Sequence, residues 1–135
     1  MSRLGAIQTA VGVHVTAAFT AAGETVTLGY DPNAFETVPK DQFPYARIIF
    51  VEEEPERLAF KQERRRVVGQ VAIGMLDATR EDVDSRIEAI RDLIFADETL
   101  SSTVDDITCE AGETISNPDD PKKYGTLDIS TEEVF

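Results

Sequence analysis

Near the start of the chain the apolar residues fall at Leu4, Ile7, Val11, Val15, Ala18 and Ala22. Steps of three and four residues place them on one face of a helix. Ser2 stands where an N-cap is expected, and Gly23 where a helix C-terminus takes a left-handed residue. His14 lies at the edge of the stripe. Residues 24–30 predict a short strand, followed by a loop over 31–44 punctuated by Pro32, Pro39 and Pro44. The nearly continuous β-prone run Tyr45-Ala46-Arg47-Ile48-Ile49-Phe50-Val51 predicts a strand covered on both faces. Glu52-Glu53-Glu54-Pro55-Glu56-Arg57 then turns the chain into a second β-run over about Leu58 to Leu76. In that run Val67, Val71, Ile73 and Met75 share one side, and Gly69 and Gly74 predict bulges or close backbone approach.

The next helix announces itself twice. Thr79-Arg80-Glu81-Asp82 is a capping-box variant with Asp in place of Glu, and Val83, Ile87, Ile90 and Ile94 follow at helical spacing, widened by Leu93. Two further β-runs are predicted, about 103–110 and 124–134; in the latter Leu127 and Ile129 alternate with Asp128 and Ser130. A polar loop, Asn117-Pro118-Asp119-Asp120-Pro121-Lys122-Lys123, separates them. The order α-β-β-α-β-β predicts an α+β two-layer sandwich, with two helices on one face of an antiparallel-rich sheet, in a single domain spanning 1–135.

Composition narrows the partners. A chain of 135 residues can bury a sufficient core without disulfides or metals, and the lone Cys109 makes a reducing compartment the expectation. No apolar run approaches the roughly 20 residues of a membrane helix, and the N-terminus has no secretory pattern, so no membrane partner is expected. The 26 acidic residues against 13 basic ones give a net charge of −13, which repels phosphate backbones at long range. The acids are spread over nearly every segment, and the bases are 9 Arg but only 4 Lys. A dispersed, lysine-poor acidity suits a salt-rich cytoplasm, where ions screen self-repulsion.

The inventory for catalysis is thin. The sequence has neither a Walker-type phosphate loop nor a G-x-G-x-x-G fingerprint, and one Cys with one His cannot form an ordinary zinc site. Cys109 is in phase with Ile107 on a predicted strand, which reads as a structural thiol, and His14 reads as a packing or interface residue. The acidic clusters abut turns and lack the spacing of a calcium loop. No catalytic residue, cofactor or metal is expected, and the chain is not expected to be an enzyme. The unusual local feature is Arg64-Arg65-Arg66 in so acidic a chain. With Lys61, these arginines are placed to pair across a hairpin with Glu52, Glu53 and Glu54, to meet a subunit or partner, or, as a third reading, to contact DNA.

The layout resembles that of the tail terminator (tail completion) proteins of long-tailed prokaryotic viruses. The resemblance rests on the N-terminal amphipathic helix, the hairpin, the segment Val71-Ala72-Ile73-Gly74-Met75-Leu76-Asp77-Ala78-Thr79, helix 80–96, and Asp97-Glu98-Thr99-Leu100-Ser101-Ser102-Thr103-Val104 leading into the closing strands. It implies a virion structural protein of the tail or neck, assembled in the host cytoplasm. Such a protein forms a homo-oligomeric, typically hexameric ring that caps the tail tube, ends its polymerisation and joins it to the head connector or stopper. Its partners would be itself, the tube protein and the connector, with DNA only as passing cargo along an acidic channel. The hairpin 52–66 and the loops 31–44 and 111–123 would carry the contacts. Another neck or tail ring protein (head completion or tail tube) is the neighbouring alternative, and an acidic DNA-mimic inhibitor a more distant one. The acidity exceeds what the layout requires and points to a halophilic host, such as a halophilic archaeon.

Overall fold

The computed structural model describes residues 3–30, 40–54, 56–59, 62–76, 78–97, 106–112, 115–116 and 122–134. Among these residues the fold is α+β: two α-helices lie on one face of a seven-stranded sheet in which all strand pairs but one are antiparallel.

Helix α1 (Arg3–Ala21) buries Ile7, Val11, Val15 and Ala18 as its periodicity predicts. Its last buried residue is Phe19 rather than Ala22, because the helix stops at Ala21 and leaves Ala22 exposed in the turn. Gly23 adopts φ +79°, its N–H donates to the Thr20 carbonyl, and the Glu24 N–H donates to the Phe19 carbonyl. That double closure satisfies carbonyls the helix end would otherwise leave unpaired.

Strand β1 (Thr27–Gly29) pairs in parallel with β2 (Tyr45–Glu52), which runs antiparallel to β4 (Gln62–Leu76). The predicted run from Leu58 to Leu76 is two strands, since β3 (Glu56–Ala59) folds back on β4. Charge agrees with this pairing. Glu56 stands opposite Arg64 and Arg57 opposite Glu63, so both cross-strand pairs join opposite signs. Strand β7 (Lys122–Val134) lines the other edge of β4 from Arg64 to Leu76, and both β5 (Asp106–Ala111) and β6 (Ile115–Ser116) pair with β7. The order across the sheet is β1-β2-β4-β7-β5. Gly69 and Gly74 mark no bulge, because the register passes through both unbroken; Gly69 instead leaves room for the Phe50 ring.

Register assigns the faces. Ala46, Ile48 and Phe50 of β2, Val67, Val71, Ile73 and Met75 of β4, Leu127 and Ile129 of β7, and Ile107 of β5 share one side and are buried in one cluster with both helices. Helix α2 (Arg80–Phe95) contributes Val83, Ile87, Ile90 and Ile94. Its start is the capping box read from sequence: the Asp82 N–H donates to the Thr79 hydroxyl, and the Thr79 N–H to the Asp82 carboxylate. Helix α2 lies so close to β7 that a Cβ on Gly125 would come within 2.6 Å of Val83 Cγ1. Two polar ties fasten the helices across their seam. Arg86 Nε donates to Glu24 Oε1 at 2.7 Å, and His14 Nε2 meets Asp97 Oδ2 at 2.9 Å, so the helices run in opposite directions.

Two expectations are corrected here. The strand Tyr45–Val51 is covered on one face only: Arg47 and Ile49 are half-buried and Val51 is 59% exposed, since neither helix reaches the far side of the sheet. The second concerns α1, whose segment Leu4–Ala21 has a mean hydropathy of 1.3 and passes the length and composition test for a membrane span. The segment combines branched apolar residues with Ala, Gly and Thr and carries no Asp, Glu, Lys or Arg, so it lacks the unbroken apolar look of a span while matching one on average. In this fold its apolar stripe forms a wall of the core.

Gly125→Ala should lower stability to urea unfolding by roughly 1–3 kcal/mol, because the new methyl must push α2 off β7. The hydrogen bonds from Thr79 hold the Asp82 carboxyl below its ordinary range. A depressed folded-state pKa contributes stability that is present above the unfolded value and is lost as pH falls through the folded one. Urea midpoints measured from about pH 6 down to pH 2 should therefore fall less steeply for Asp82→Asn than for the native chain.

Candidate functional site

The uncovered face of the sheet carries a shallow groove of about 810 Å³. Its floor is built by alternation: residues adjacent to the buried ones along β2, β4, β7 and β5 point to the other side. Ile49 aligns with Gln70, then Asp128, then Glu110; Val51 aligns with Val68, then Ser130, then Thr108; Arg47 lies alongside on β2. The groove is thus graded. Ile49, Val51 and Val68 form an apolar strip at the β2 end, and the carboxylates of Asp128 and Glu110 lie toward β5. Gln70 Nε2 donates to Asp128 Oδ1 at 3.0 Å and fixes that carboxylate across the β4–β7 pair.

These side chains suit non-covalent contact better than bond chemistry. The hydroxyls of Thr108 and Ser130 have no imidazole beside them, since the single histidine is on α1 and faces Asp97. The Cys109 side chain belongs to the helix-covered side of β5, in line with Ile129, and burial pushes its thiol up to about 11. A thiol so protonated at neutral pH is a poor nucleophile, which matches its reading as a structural residue. Among the described residues, no group of three His, Cys, Asp or Glu side chains could hold a metal ion.

The residues singled out from sequence lie at one end of this same sheet. Arg64 Nε approaches Glu132 Oε1 at 2.7 Å, and Arg66 Nη2 approaches the same oxygen at 3.7 Å. Arg64 also lies 3.6 Å from Glu56, Arg66 4.0 Å from Glu53, and Arg65 3.4 Å from Glu63. Strand alternation separates Arg65 from the other two, as the spacing predicts. The structure therefore brings Arg64, Arg66 and Glu53 together on one face and leaves Arg65 on the other, and all three arginines already face acids of their own chain. Such partly exposed pairs contribute at most about 1 kcal/mol each. Glu52, Glu53 and Glu54 are exposed at the end of β2, while Lys61 lies outside the described residues, as does most of each loop proposed for contacts, 31–44 and 111–123.

Sequence reasoning missed the groove. A run apolar at consecutive positions reads as doubly buried, and that reading hid Ile49 and Val51. The available signal was polar: Arg47 within the run, and Asp128 and Ser130 alternating on the last strand, mark a face turned to water. Compared with known proteins, the chain matches no family model and no curated protein sequence.

Alkylation of Cys109 by iodoacetamide near pH 8 should be at least about tenfold slower in the folded protein than in urea, and should accelerate as pH approaches 11. Equal rates in the two states would contradict a half-buried, protonated thiol.

Proposed function

We propose that this protein is a structural assembly subunit that works as a ring, in the manner of the tail terminators its layout resembles. On this reading it closes a homo-oligomeric ring on the end of a viral tail tube, stops tube polymerisation and presents its other face to the head connector. DNA passes through as cargo, and the protein resides in the tail or neck of the virion.

The observation that carries the reading is the open sheet face, with apolar residues left at the surface and groove-lining groups suited to contact. A two-layer domain with one sheet face committed to its own core, and with Val51 and its neighbours left at the surface of the other among the described residues, is a building block for association. The distribution of charge favours this over an acidic mimic of DNA. At the end of the sheet, carboxylates alternate with arginines across the strands, as in Glu56, Arg64, Glu132 and Arg66, rather than forming an uninterrupted acidic row.

The same charge bears on the environment. A chain at −13 with few lysines associates with copies of itself only when its repulsion is screened. Light scattering behind a sizing column should show a closed oligomer in molar salt that dissociates at low ionic strength, and urea midpoints should rise with salt. A monomer at every salt and concentration, unable to arrest tube growth when mixed with the tail tube protein, would overturn the ring reading.

A further inference from the structure

We propose that the groove on the open sheet face is filled by helix α1 of a second copy of this chain. The inference rests on the ring reading and names its interface. Helix α1 packs its stripe on β2 and α2, and turns Thr9, Val13, Thr16, Ala17 and Thr20 to solvent. The segment Leu4–Ala21 contains none of the chain's 26 acids and none of its 13 bases. The groove lies on the opposite side of the molecule, beyond the sheet.

Shape and charge make the two surfaces partners. One is a convex helix face of small and branched side chains; the other is a concave sheet face whose apolar strip is Ile49, Val51 and Val68. Each carries one of the large apolar residues most exposed among those described, Val13 at 62% and Val51 at 59%. Two copies at −13 repel strongly, so the surface that enters a neighbour's groove must itself add no like charge. Helix α1 meets that condition. Its dipole adds direction: with no acid in the first turn and no base in the last, the helix has a partial positive charge at its start and a partial negative charge at its end. In a neighbour's groove the start suits Asp128 and Glu110, and the end suits Arg47. Because donor and acceptor surfaces are different patches on opposite sides, the contact is heterologous. Repeated with a constant rotation, such a contact closes a ring.

The test pairs one cysteine on each surface. In a Cys109→Ala background, Val13→Cys and Val51→Cys proteins are mixed in molar salt and oxidised with oxidised glutathione; both positions are exposed, so neither change disturbs the core. The expected result is a mixed 13–51 disulfide that predominates over 13–13 and 51–51 dimers, and a ladder of linked species when both cysteines are on one chain. Predominant like-with-like dimers would overturn the proposal by showing an isologous contact. Absence of the 13–51 product from a protein whose parent is oligomeric under the same conditions would overturn this interface and leave the ring reading standing. Absence of the product from a parent that is monomeric in every salt would overturn both. As an independent readout, Val13→Asp and Val51→Asp should each cause loss of the oligomer with the urea midpoint of the monomer retained; an oligomer that persists in both variants counts against the proposal.

Discussion

The backbone ladder that flanks β4 holds the rest of the structure in place. This strand is paired along one edge by β7 from Arg64 to Leu76, and along the other by β3 and β2 end to end. Its side chains alternate, so Val67, Val71, Ile73 and Met75 are delivered to the helix side at a fixed spacing. A slip of one residue would exchange that row for Arg66, Val68, Gln70 and Ala72 and place a charge and an amide under the helices. Burying each Val or Ile contributes roughly 1.5–3 kcal/mol, several times what any one of the partly exposed ion pairs at the strand's end supplies. Register is thus set by the core. The Arg–Glu pairs at the end of the sheet follow from it and reinforce it.

The parts of the fold that were legible in the sequence are those whose determinants are local. Helix α2 was readable at its start and along its length, because a capping box and an i, i+4, i+7 stripe both lie within one short segment, and Gly23 was readable as a stop for the same reason. The alternation of Leu127 and Ile129 with Asp128 and Ser130 gave β7 directly. What escaped depends on residues far apart in the chain. The short strand predicted over 24–30 is β1, but its parallel pairing with β2, Thr27 beside Tyr45, could not be read locally. The break between β3 and β4 is written in charges that matter only once Glu56 faces Arg64. The pairing of Arg64 and Arg66 with the hairpin acids was foreseeable from proximity, but their shared partner Glu132 comes from the far end of the chain.

The candidate site was the least legible part, for a physical reason. Hydrophobicity along β2 reports burial at every position it can, and Ile49 and Val51 do not distinguish a covering helix from a covering partner. Only the layer count settles it: two helices cannot cover two faces when both lie on one, and here their stripes merge in a single cluster with Ala46, Ile48 and Phe50. Val51, 59% exposed on the second face, is then unexplained by folding. Folding alone would have favoured polar residues there, as at Gln70 and Asp128, the next positions of the Ile49 cross-strand row.

Charge completes the argument. Where acids are dispersed over a surface, the neutral exceptions define where another macromolecule of the same charge can approach, because desolvating or crowding carboxylates costs more than a few apolar contacts return. Helix α1 is neutral from Leu4 to Ala21 although its outer face is of no use to the core. The arginine cluster, the obvious exception by sequence, proves to be neutralised by Glu53, Glu56, Glu63 and Glu132 inside its own sheet. The surfaces open to a second copy are thereby those of the least charged segment of the chain, not the most charged one, and lie on the two broad faces of the sandwich rather than at the hairpin.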